Sequence, residues 1–114
     1  MIGDDLQANA TKASTLLKAM SNERRLMILC QLAQGERSVG ELERVVGLSQ
    51  SALSQHLARL RQDGLVATRR SAQTIYYSLH GREARAVMQT LHELYCATPA
   101  DGLSEGEPAR AVMA

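Results

Sequence analysis

The sequence predicts a small, mainly α-helical domain that carries one β-hairpin. Up to Gly64, apolar residues recur at spacings of three and four, which is typical of amphipathic helices. From residue 65 to residue 79 the period changes to two, which indicates strands, and from Arg82 the helical spacing returns. The predicted order of elements is therefore α-α-α-α-β-β-α, and a chain of 114 residues has room for one such domain.

The first two helices are each defined by an apolar stripe. The stripe of the first helix consists of Leu6, Ala10, Ala13, Leu17 and Met20. Ser21 and Asn22 are good helix caps, and the second helix then runs as far as Gly35. Its expected core face consists of Leu26, Leu29, Cys30 and Ala33. The sequence thus places Cys30 on the apolar side of the second helix.

The third and fourth helices are separated by a three-residue turn. Ser38 and Glu41 have the spacing of a capping box, so a helix begins there and extends to about Val46. Gly47 suits the left-handed position after a helix, and Ser49 caps the next helix. The inner stripe of that fourth helix is expected at Leu53, Leu57 and Leu60. This pattern is a helix-turn-helix.

Two strand-like runs, residues 65–70 and 74–79, follow the fourth helix and are separated by the polar residues 71–73. They predict a β-hairpin with Arg69 and Arg70 near its tip. The last helix begins at Arg82 and ends near Cys96. Its apolar residues are Ala84, Val87, Met88, Leu91, Leu94 and Tyr95.

The segment beyond the last helix differs in composition. Residues 98–114 contain both prolines and no sustained periodicity, which is typical of a mobile tail. We therefore expect a folded domain over residues 1–97 and a disordered tail over residues 98–114. The first residues lack the features of a targeting signal and no apolar run is long enough to cross a bilayer, so we expect a soluble cytoplasmic protein without a membrane partner.

Composition argues against several classes of function. The formal net charge is +1, so a surface that binds a polyanion must be local. The chain contains no Trp and no Phe, which disfavours modules that stack single-stranded bases on aromatic side chains. Its two cysteines, Cys30 and Cys96, are too few for a disulfide-built scaffold or a four-ligand zinc site.

The helix-turn-helix and the hairpin together predict an interface with double-stranded DNA. In this motif the start of the second helix reaches base edges and phosphates, and a hairpin beside it acts as a wing. Residues 49–80 carry a net charge of +3, whereas residues 1–48 are neutral and residues 81–114 carry −2. Because the basic segment coincides with the motif, a DNA interface is favoured over a merely solvated polar face. The expected DNA-binding residues are Ser49, Gln50, Ser51, Ser54, Gln55, His56, Arg59, Arg69 and Arg70.

A domain with one recognition helix is expected to act as a homodimer, because two copies span two half-sites. The first and last helices are the natural dimer elements. Their apolar stripes exceed what so small a chain is expected to cover within one monomer.

The two cysteines admit several interpretations. A reduced thiol on an apolar helix face is commonly a core residue, which fits Cys30 better than Cys96. Cys96 follows His92 by one turn and is expected to be reachable; if the second and last helices pack together, an oxidised link would join them. A weak metal site formed by Cys30, His92 and Cys96 is an alternative.

Two other classes of function are alternatives to a DNA-binding regulator. One is a protein-interaction module that does not bind DNA. An enzyme with a His92–Cys96 dyad is disfavoured, since an oxyanion-hole turn and an orienting residue are missing, and we expect no catalytic residues.

Three stretches, in this order and spacing, resemble the ArsR/SmtB winged-helix transcriptional regulators: LLKAMSNERRLMILCQL, SVGELERVVGLSQSALSQHLARLRQDGLV and QTIYYSL. The resemblance covers about residues 10–97. RLMILC at Cys30 and LHELYC at Cys96 resemble the sulfur-sensing branch of this family. This implies a homodimer that binds operator DNA while both thiols are reduced and releases it when reactive sulfur species join the cysteines through a di- or polysulfide. By the same resemblance, the recognition helix contributes Gln50, Ser51, Ser54, Gln55 and His56, and the wing contributes Arg69 and Arg70.

The departures from the family pattern concern metal ligands. Metal-sensing relatives carry cysteines at the start of the third helix, and residues 38–42 contain none. Other relatives hold zinc along the last helix, where this chain offers His80, Arg82, Glu93 and Cys96, and arginine is not a ligand. We therefore expect no metal or other cofactor, with a metal-responsive repressor kept as the alternative.

Overall fold

The computed structural model describes residues 5–96, so the predicted tail over residues 98–114 lies outside the described residues. The described helices are α1 (Leu6–Met20), α2 (Glu23–Gln34), α3 (Val39–Val46), α4 (Gln50–Gln62) and α5 (Arg82–Tyr95). The described strands are β1 (Arg37–Ser38), β2 (Val66–Ser71) and β3 (Thr74–Leu79). Within residues 5–96, none of the helices has the length and apolar character needed to span a membrane.

The predicted hairpin is part of a three-stranded antiparallel sheet with the order β1-β3-β2. The sequence did not predict β1, because a strand of two residues is too short to show a period of two. Its pairs with β3 are Arg37 with Tyr77 and Ser38 with Tyr76. The third strand ties the start of α3 to the base of the hairpin.

The tip of the hairpin is tighter than predicted. Ser71 pairs with Thr74, so the loop has two residues instead of the three expected from the sequence. Ala72 in this loop has a φ of 59°, in the left-handed region that favours glycine.

The predicted ends of the helix-turn-helix are confirmed. The Ser38 hydroxyl accepts a hydrogen bond of 3.2 Å from the Glu41 N–H, and the Glu41 carboxylate accepts one of 2.8 Å from the Ser38 N–H. Gly47 has a φ of 75° and ends α3 in the left-handed conformation. Ser49 caps α4, because its hydroxyl accepts a hydrogen bond of 3.1 Å from the Ala52 N–H.

The core lies where the helices meet the base of the sheet. The predicted inner stripe of α4 is confirmed, since Leu53, Leu57 and Leu60 are at most 1% exposed. These side chains fix which face of α4 is left for solvent. The half-buried Leu48, in the turn between α3 and α4, packs against the same core.

Only part of each apolar stripe predicted for α1 and α2 is buried. On α1, Met20 is buried, but Leu6 and Leu17 are 59% and 56% exposed. On α2 the core residues are Ile28, Leu29 and Leu32, whereas Leu26 and Cys30 are half-buried and Ala33 is exposed. An apolar stripe is wider than the line of residues that faces the core, so periodicity alone did not show which edge is buried. On α5, Ala84 and Met88 are buried, but the predicted stripe residues Leu94 and Tyr95 are exposed.

Candidate DNA interface and thiol cleft

The first two turns of α4 present polar side chains to solvent. Leu53 and Leu57 are buried in the core, so the face of α4 opposite to them, which carries the polar side chains, is directed to solvent. Hydroxyl and amide groups in this position are able to hydrogen-bond to phosphates and to base edges. The exposed residues are Ser49, Gln50, Ser51, Ser54 and Gln55. The structure thus brings together five of the six residues predicted for this part of the interface.

His56 lies apart from those five residues. It is partly buried, and its imidazole is influenced by the first turn of α2. Burial, followed by the positive charges of Arg25 and Arg24, lowers the pKa of His56 below its usual range. Arg25 is itself anchored, because its Nε donates a hydrogen bond of 2.7 Å to the Ala19 carbonyl. The pKa of His56 thus depends on the first turn of α2, a helix that packs against α4, and the role of His56 at DNA stays a prediction.

Arg59 lies at the other end of α4 and is engaged by an acidic residue. Its Nε is 2.9 Å from an Asp63 carboxylate oxygen, one turn later along the chain. Arg61 is exposed on the same helix. The charge of Arg59 is thus shared with Asp63, although an exposed pair of this kind is weak and easily exchanged.

Arg69, on β2 of the hairpin, is held by Glu36. Its Nε and Nη2 donate hydrogen bonds of 2.7 Å each to the two carboxylate oxygens of Glu36. The guanidinium also lies over the ring of Tyr76, 4.8 Å from the ring centroid. The hydrogen bonds from Arg69 lower the pKa of the Glu36 carboxyl, and the same contact raises the pKa of Arg69.

Glu36 was not predicted as part of this site, because it lies 33 positions from Arg69, in the neutral first part of the chain. Its proximity depends on how β1 docks on β3, which no local pattern indicates. Glu36 therefore offsets one of the two arginines of the hairpin. The net charge of +3 counted over residues 49–80 leaves Glu36 out and so overstates the positive charge of the predicted interface.

Arg70 differs from Arg69 in both direction and partners. Neighbouring residues of a strand point to opposite faces, so Arg70 lies on the face of its cross-strand partner Ile75. Within residues 5–96, no carboxylate lies within 4.0 Å of the Arg70 side chain. The two arginines predicted as one basic cluster therefore occupy different faces of the hairpin, and only Arg69 has an acidic partner in the described part of the chain.

Cys30 and Cys96 line the same cleft between α2 and α5. The cleft has a volume of about 530 Å³, and α2 and α5 pack directly against each other. Cys96 caps the end of α5, where its N–H donates a hydrogen bond of 2.8 Å to the His92 carbonyl. Other residues that line the cleft are Ala33, Gln34, Leu79, Arg85, Met88, Gln89, His92 and Glu93.

The two thiols have different environments. Cys30 is half-buried and packs against the core, whereas Cys96 is exposed. Burial, and to a smaller extent the charge of a Cys96 thiolate, raises the pKa of the Cys30 thiol. Burial thus disfavours the Cys30 thiolate, which is the nucleophilic form, and the Cys30 side chain is also less accessible than the exposed Cys96. The effect of Cys96 on Cys30 also reflects their proximity across the cleft.

The alternative metal site is not assembled in the described residues. Cys30, His92 and Cys96 share the cleft, but within residues 5–96 no three His, Cys, Asp or Glu side chains are grouped closely enough to hold a metal ion. The structure thus supplies no ligand set for the metal-responsive alternative in the part of the chain that it describes.

Comparison with known proteins links this arrangement to a family of regulators. Residues 22–68 match the family model described as bacterial regulatory protein, arsR family. The chain is 59% identical over 92 residues to the transcriptional activator HlyU of Vibrio cholerae serotype O1, covering 81% of this chain and 85% of that protein. The structure of reduced HlyU from Vibrio cholerae N16961 superposes with a TM-score of 0.80 at 57% identity, covering 83% of this chain and 100% of the other.

Two further solved structures are similar over most of the described residues. The transcriptional repressor BigR from Xylella fastidiosa has a TM-score of 0.76 at 41% identity, covering 86% of this chain and 100% of that chain. The homodimeric winged helix-turn-helix DNA-binding domain Mb0332 from Mycobacterium bovis has a TM-score of 0.68 at 33% identity, covering 81% of this chain and 87% of that chain. The predicted winged helix-turn-helix fold is confirmed.

Proposed function

The chain belongs to the ArsR family of bacterial transcriptional regulators, and we propose that its binding to operator DNA is switched by a sulfur link between Cys30 and Cys96. Its relatives are DNA-binding regulators and not enzymes. In the proposed cycle, the protein binds DNA while both thiols are reduced. Reactive sulfur species then join the thiols through a di- or polysulfide, and the protein releases DNA.

The observation that carries this proposal is that Cys30 and Cys96 line one cleft between α2 and α5. α2 also packs against α3 and α4, the two helices of the helix-turn-helix. A covalent link from α2 to α5 therefore acts on the helix that supports the DNA-reading elements. An allosteric coupling of about 1–3 kcal/mol is enough to change DNA affinity roughly 5- to 150-fold.

The chemistry balances with a low-molecular-weight persulfide, RSSH, as oxidant. The Cys96 thiolate attacks the outer sulfur of RSSH, which yields a Cys96 persulfide and RSH. The Cys30 thiolate then attacks the inner sulfur of the Cys96 persulfide, which is Cys96 Sγ, and the outer sulfur leaves as hydrogen sulfide, so that a Cys30–Cys96 disulfide forms. If both cysteines are persulfides, the same displacement yields a trisulfide and hydrogen sulfide.

The separation of α2 and α5 bears on which product forms. A disulfide requires Cα atoms within about 7 Å, and each inserted sulfur extends the reach of the link. Helices held slightly too far apart for an unstrained disulfide would favour persulfides over peroxide as the signal. On this hypothesis, the distance between the two cysteines across the cleft would select among oxidants.

The DNA-binding state is proposed to be a cytoplasmic homodimer that contacts double-stranded DNA through α4 and the hairpin. Leu6 and Leu17 on α1, and Leu94 and Tyr95 on α5, expose apolar side chains that suit a dimer interface. The proposed contacts with DNA are Ser49, Gln50, Ser51, Ser54, Gln55, His56, Arg59, Arg69 and Arg70. Release of DNA results in activation or repression according to promoter layout. Among the relatives, HlyU is described as a transcriptional activator and BigR as a transcriptional repressor.

The proposal is tested by titrating DNA with wild type, Cys30→Ser, Cys96→Ser and the double variant. The DNA is an operator duplex that the reduced wild-type protein has selected from a random library. We expect all four reduced proteins to bind alike. Only the wild type should lose affinity when a persulfide donor is added, because only it has both partners of the link. A single-cysteine variant that still releases DNA would refute the paired-cysteine switch.

Mass spectrometry of the oxidised wild type identifies the link. A disulfide leaves the chain two hydrogens lighter, and each additional sulfur adds one sulfur mass. If persulfide donors produce only the disulfide, the selectivity argument from helix separation fails while the switch itself stands.

A further inference from the structure

The Glu36–Arg69 ion pair joins the hairpin to the segment that precedes β1. The pair is bidentate, with two hydrogen bonds of 2.7 Å. It places a carboxylate against the hairpin that we propose contacts DNA phosphates. Both side chains are solvent-accessible, at 56% for Arg69 and 34% for Glu36. The pair is therefore located where it competes directly with any phosphate that approaches Arg69.

The ion pair is not what holds the hairpin in place. Glu36 immediately precedes β1, whose two residues pair with Tyr77 and Tyr76 of β3, so the backbone sheet already anchors the base of the hairpin. Tyr76 is also the cross-strand partner of Arg69 and lies against its guanidinium. Removing the Glu36 charge would leave the sheet and the stacking contact intact. The distinct effect of Glu36 is therefore on the charge that the hairpin presents.

We propose that Glu36 is a specificity-determining residue for DNA binding, which neutralises Arg69 so that the hairpin offers Arg70 alone to the phosphates of an arbitrary duplex. Sequence-independent binding depends on the number of phosphates that cations neutralise. Withholding one cation lowers that binding without changing the groups on α4 that face base edges. The inference rests on the contact between hairpin and DNA in the proposed function, and it is independent of the cysteine switch.

Specific docking overcomes this neutralisation because an exposed ion pair is weak. When α4 is fixed in its operator, a phosphate is held in register beside the hairpin and is able to replace the Glu36 carboxylate on Arg69. In a non-specific complex the phosphates shift relative to the protein, and Arg69 stays with Glu36. Glu36 thus lowers affinity for random DNA more than affinity for the operator.

The test measures binding of the reduced, full-length protein to a random-sequence duplex and to the selected operator duplex over a series of salt concentrations. We expect Glu36→Gln to bind the random duplex several-fold more tightly at low salt, with a slope of log Kd against log salt that is steeper by about 0.9, the value for one additional phosphate, and to gain less affinity for the operator. An equal gain on both duplexes would show that Glu36 does not contribute to specificity. Glu83→Gln is the matched control, because Glu83 is an exposed carboxylate at the start of α5 without an arginine partner among residues 5–96. We expect this control to leave the slope unchanged.

Two arginine variants show whether Glu36 acts through Arg69 and whether the hairpin contacts DNA at all. In an Arg69→Gln background, Glu36→Gln should have no further effect, because Glu36 acts through Arg69. Arg70→Gln should reduce the slope by about 0.9. If Arg70→Gln and Glu36→Gln both leave the slope unchanged, the hairpin does not contact DNA, and this part of the proposed function fails together with the inference.

Other outcomes overturn the inference alone. If Arg70→Gln lowers the slope but Glu36→Gln matches the wild type or the Glu83→Gln control, Glu36 does not withhold Arg69 from phosphates. If Glu36→Gln weakens binding while the salt slope stays unchanged, the ion pair serves to position the hairpin and does not neutralise the charge of Arg69. Circular dichroism of each variant verifies that these differences arise in folded protein.

Discussion

Cys30 and Cys96 carry the same functional group but are expected to react at different rates. Cys30 is half-buried on α2, and burial disfavours its thiolate, whereas Cys96 is exposed at the end of α5. In the proposed switch, Cys96 is therefore the first nucleophile and Cys30 is the thiol that completes the link. The sequence alone predicted that Cys96 would be reachable and that Cys30 would lie on the apolar stripe of α2.

This difference in reactivity predicts the pH dependence of alkylation. In Cys96→Ser, the rate at which iodoacetamide modifies Cys30 should rise with a midpoint above that of an ordinary cysteine, because the raised pKa keeps the thiol protonated at neutral pH. At pH 7, Cys30 should react more slowly than Cys96 does in Cys30→Ser. Mass spectrometry of quenched samples measures both rates, and urea-unfolded protein serves as the control in which the rates converge. A Cys30 that reacts as fast as Cys96 in the folded state would contradict this expectation.

At the scale of elements, the turn between α3 and α4 determines the orientation of the recognition helix. Its conformation depends on the capping box at Ser38 and Glu41 and on the left-handed Gly47. These features involve residues at most four positions apart, so the sequence was sufficient to predict them. The same was true of Ser49, which caps α4 through the Ala52 N–H.

Two glycines of this motif should respond in opposite directions to alanine. Gly47 has a φ of 75°, where a side chain is strained, so Gly47→Ala should lower the free energy of unfolding by roughly 1 kcal/mol. Gly40 lies within α3, and an added Cβ would meet atoms no closer than 3.9 Å. Gly40→Ala should therefore raise the free energy of unfolding by about 0.5–1 kcal/mol. Urea unfolding at one protein concentration measures both, and shifts of the same sign would show that backbone conformation is not the determining factor.

At the scale of the whole molecule, α1 and α5 both expose large apolar side chains within residues 5–96. Leu17 on α1 and Leu94 on α5 are 56% and 62% exposed, and both belong to the apolar stripes predicted for these two helices. Leu6 and Tyr95 extend these surfaces. The prediction that α1 and α5 serve as dimer elements accounts for this exposure, since a partner subunit would cover what one monomer leaves uncovered.

Dimerisation is therefore expected to depend on these two leucines. Leu17→Gln combined with Leu94→Gln should shift the protein from dimer to monomer and weaken binding to an operator by at least tenfold, because one subunit contacts one half-site. Lys18→Gln, an equally accessible change on α1, is the control and should leave the dimer intact. Light scattering coupled to size-exclusion chromatography measures the mass. A double variant that remains dimeric would place the interface elsewhere.

By itself, the sequence determined the order of the five helices and the two hairpin strands, the caps and turn of the helix-turn-helix, the extent of the hairpin to within about one residue, and five polar residues at the start of α4 that do face solvent. These features depend on periodicity and on hydrogen bonds between residues a few positions apart. Only the tertiary structure decided which edge of each apolar stripe is buried, that Cys30 and Cys96 share a cleft, and that Glu36 neutralises Arg69. The physical reason is that such contacts join residues distant in the chain, and their geometry is set by how helices and strands dock and not by local propensity.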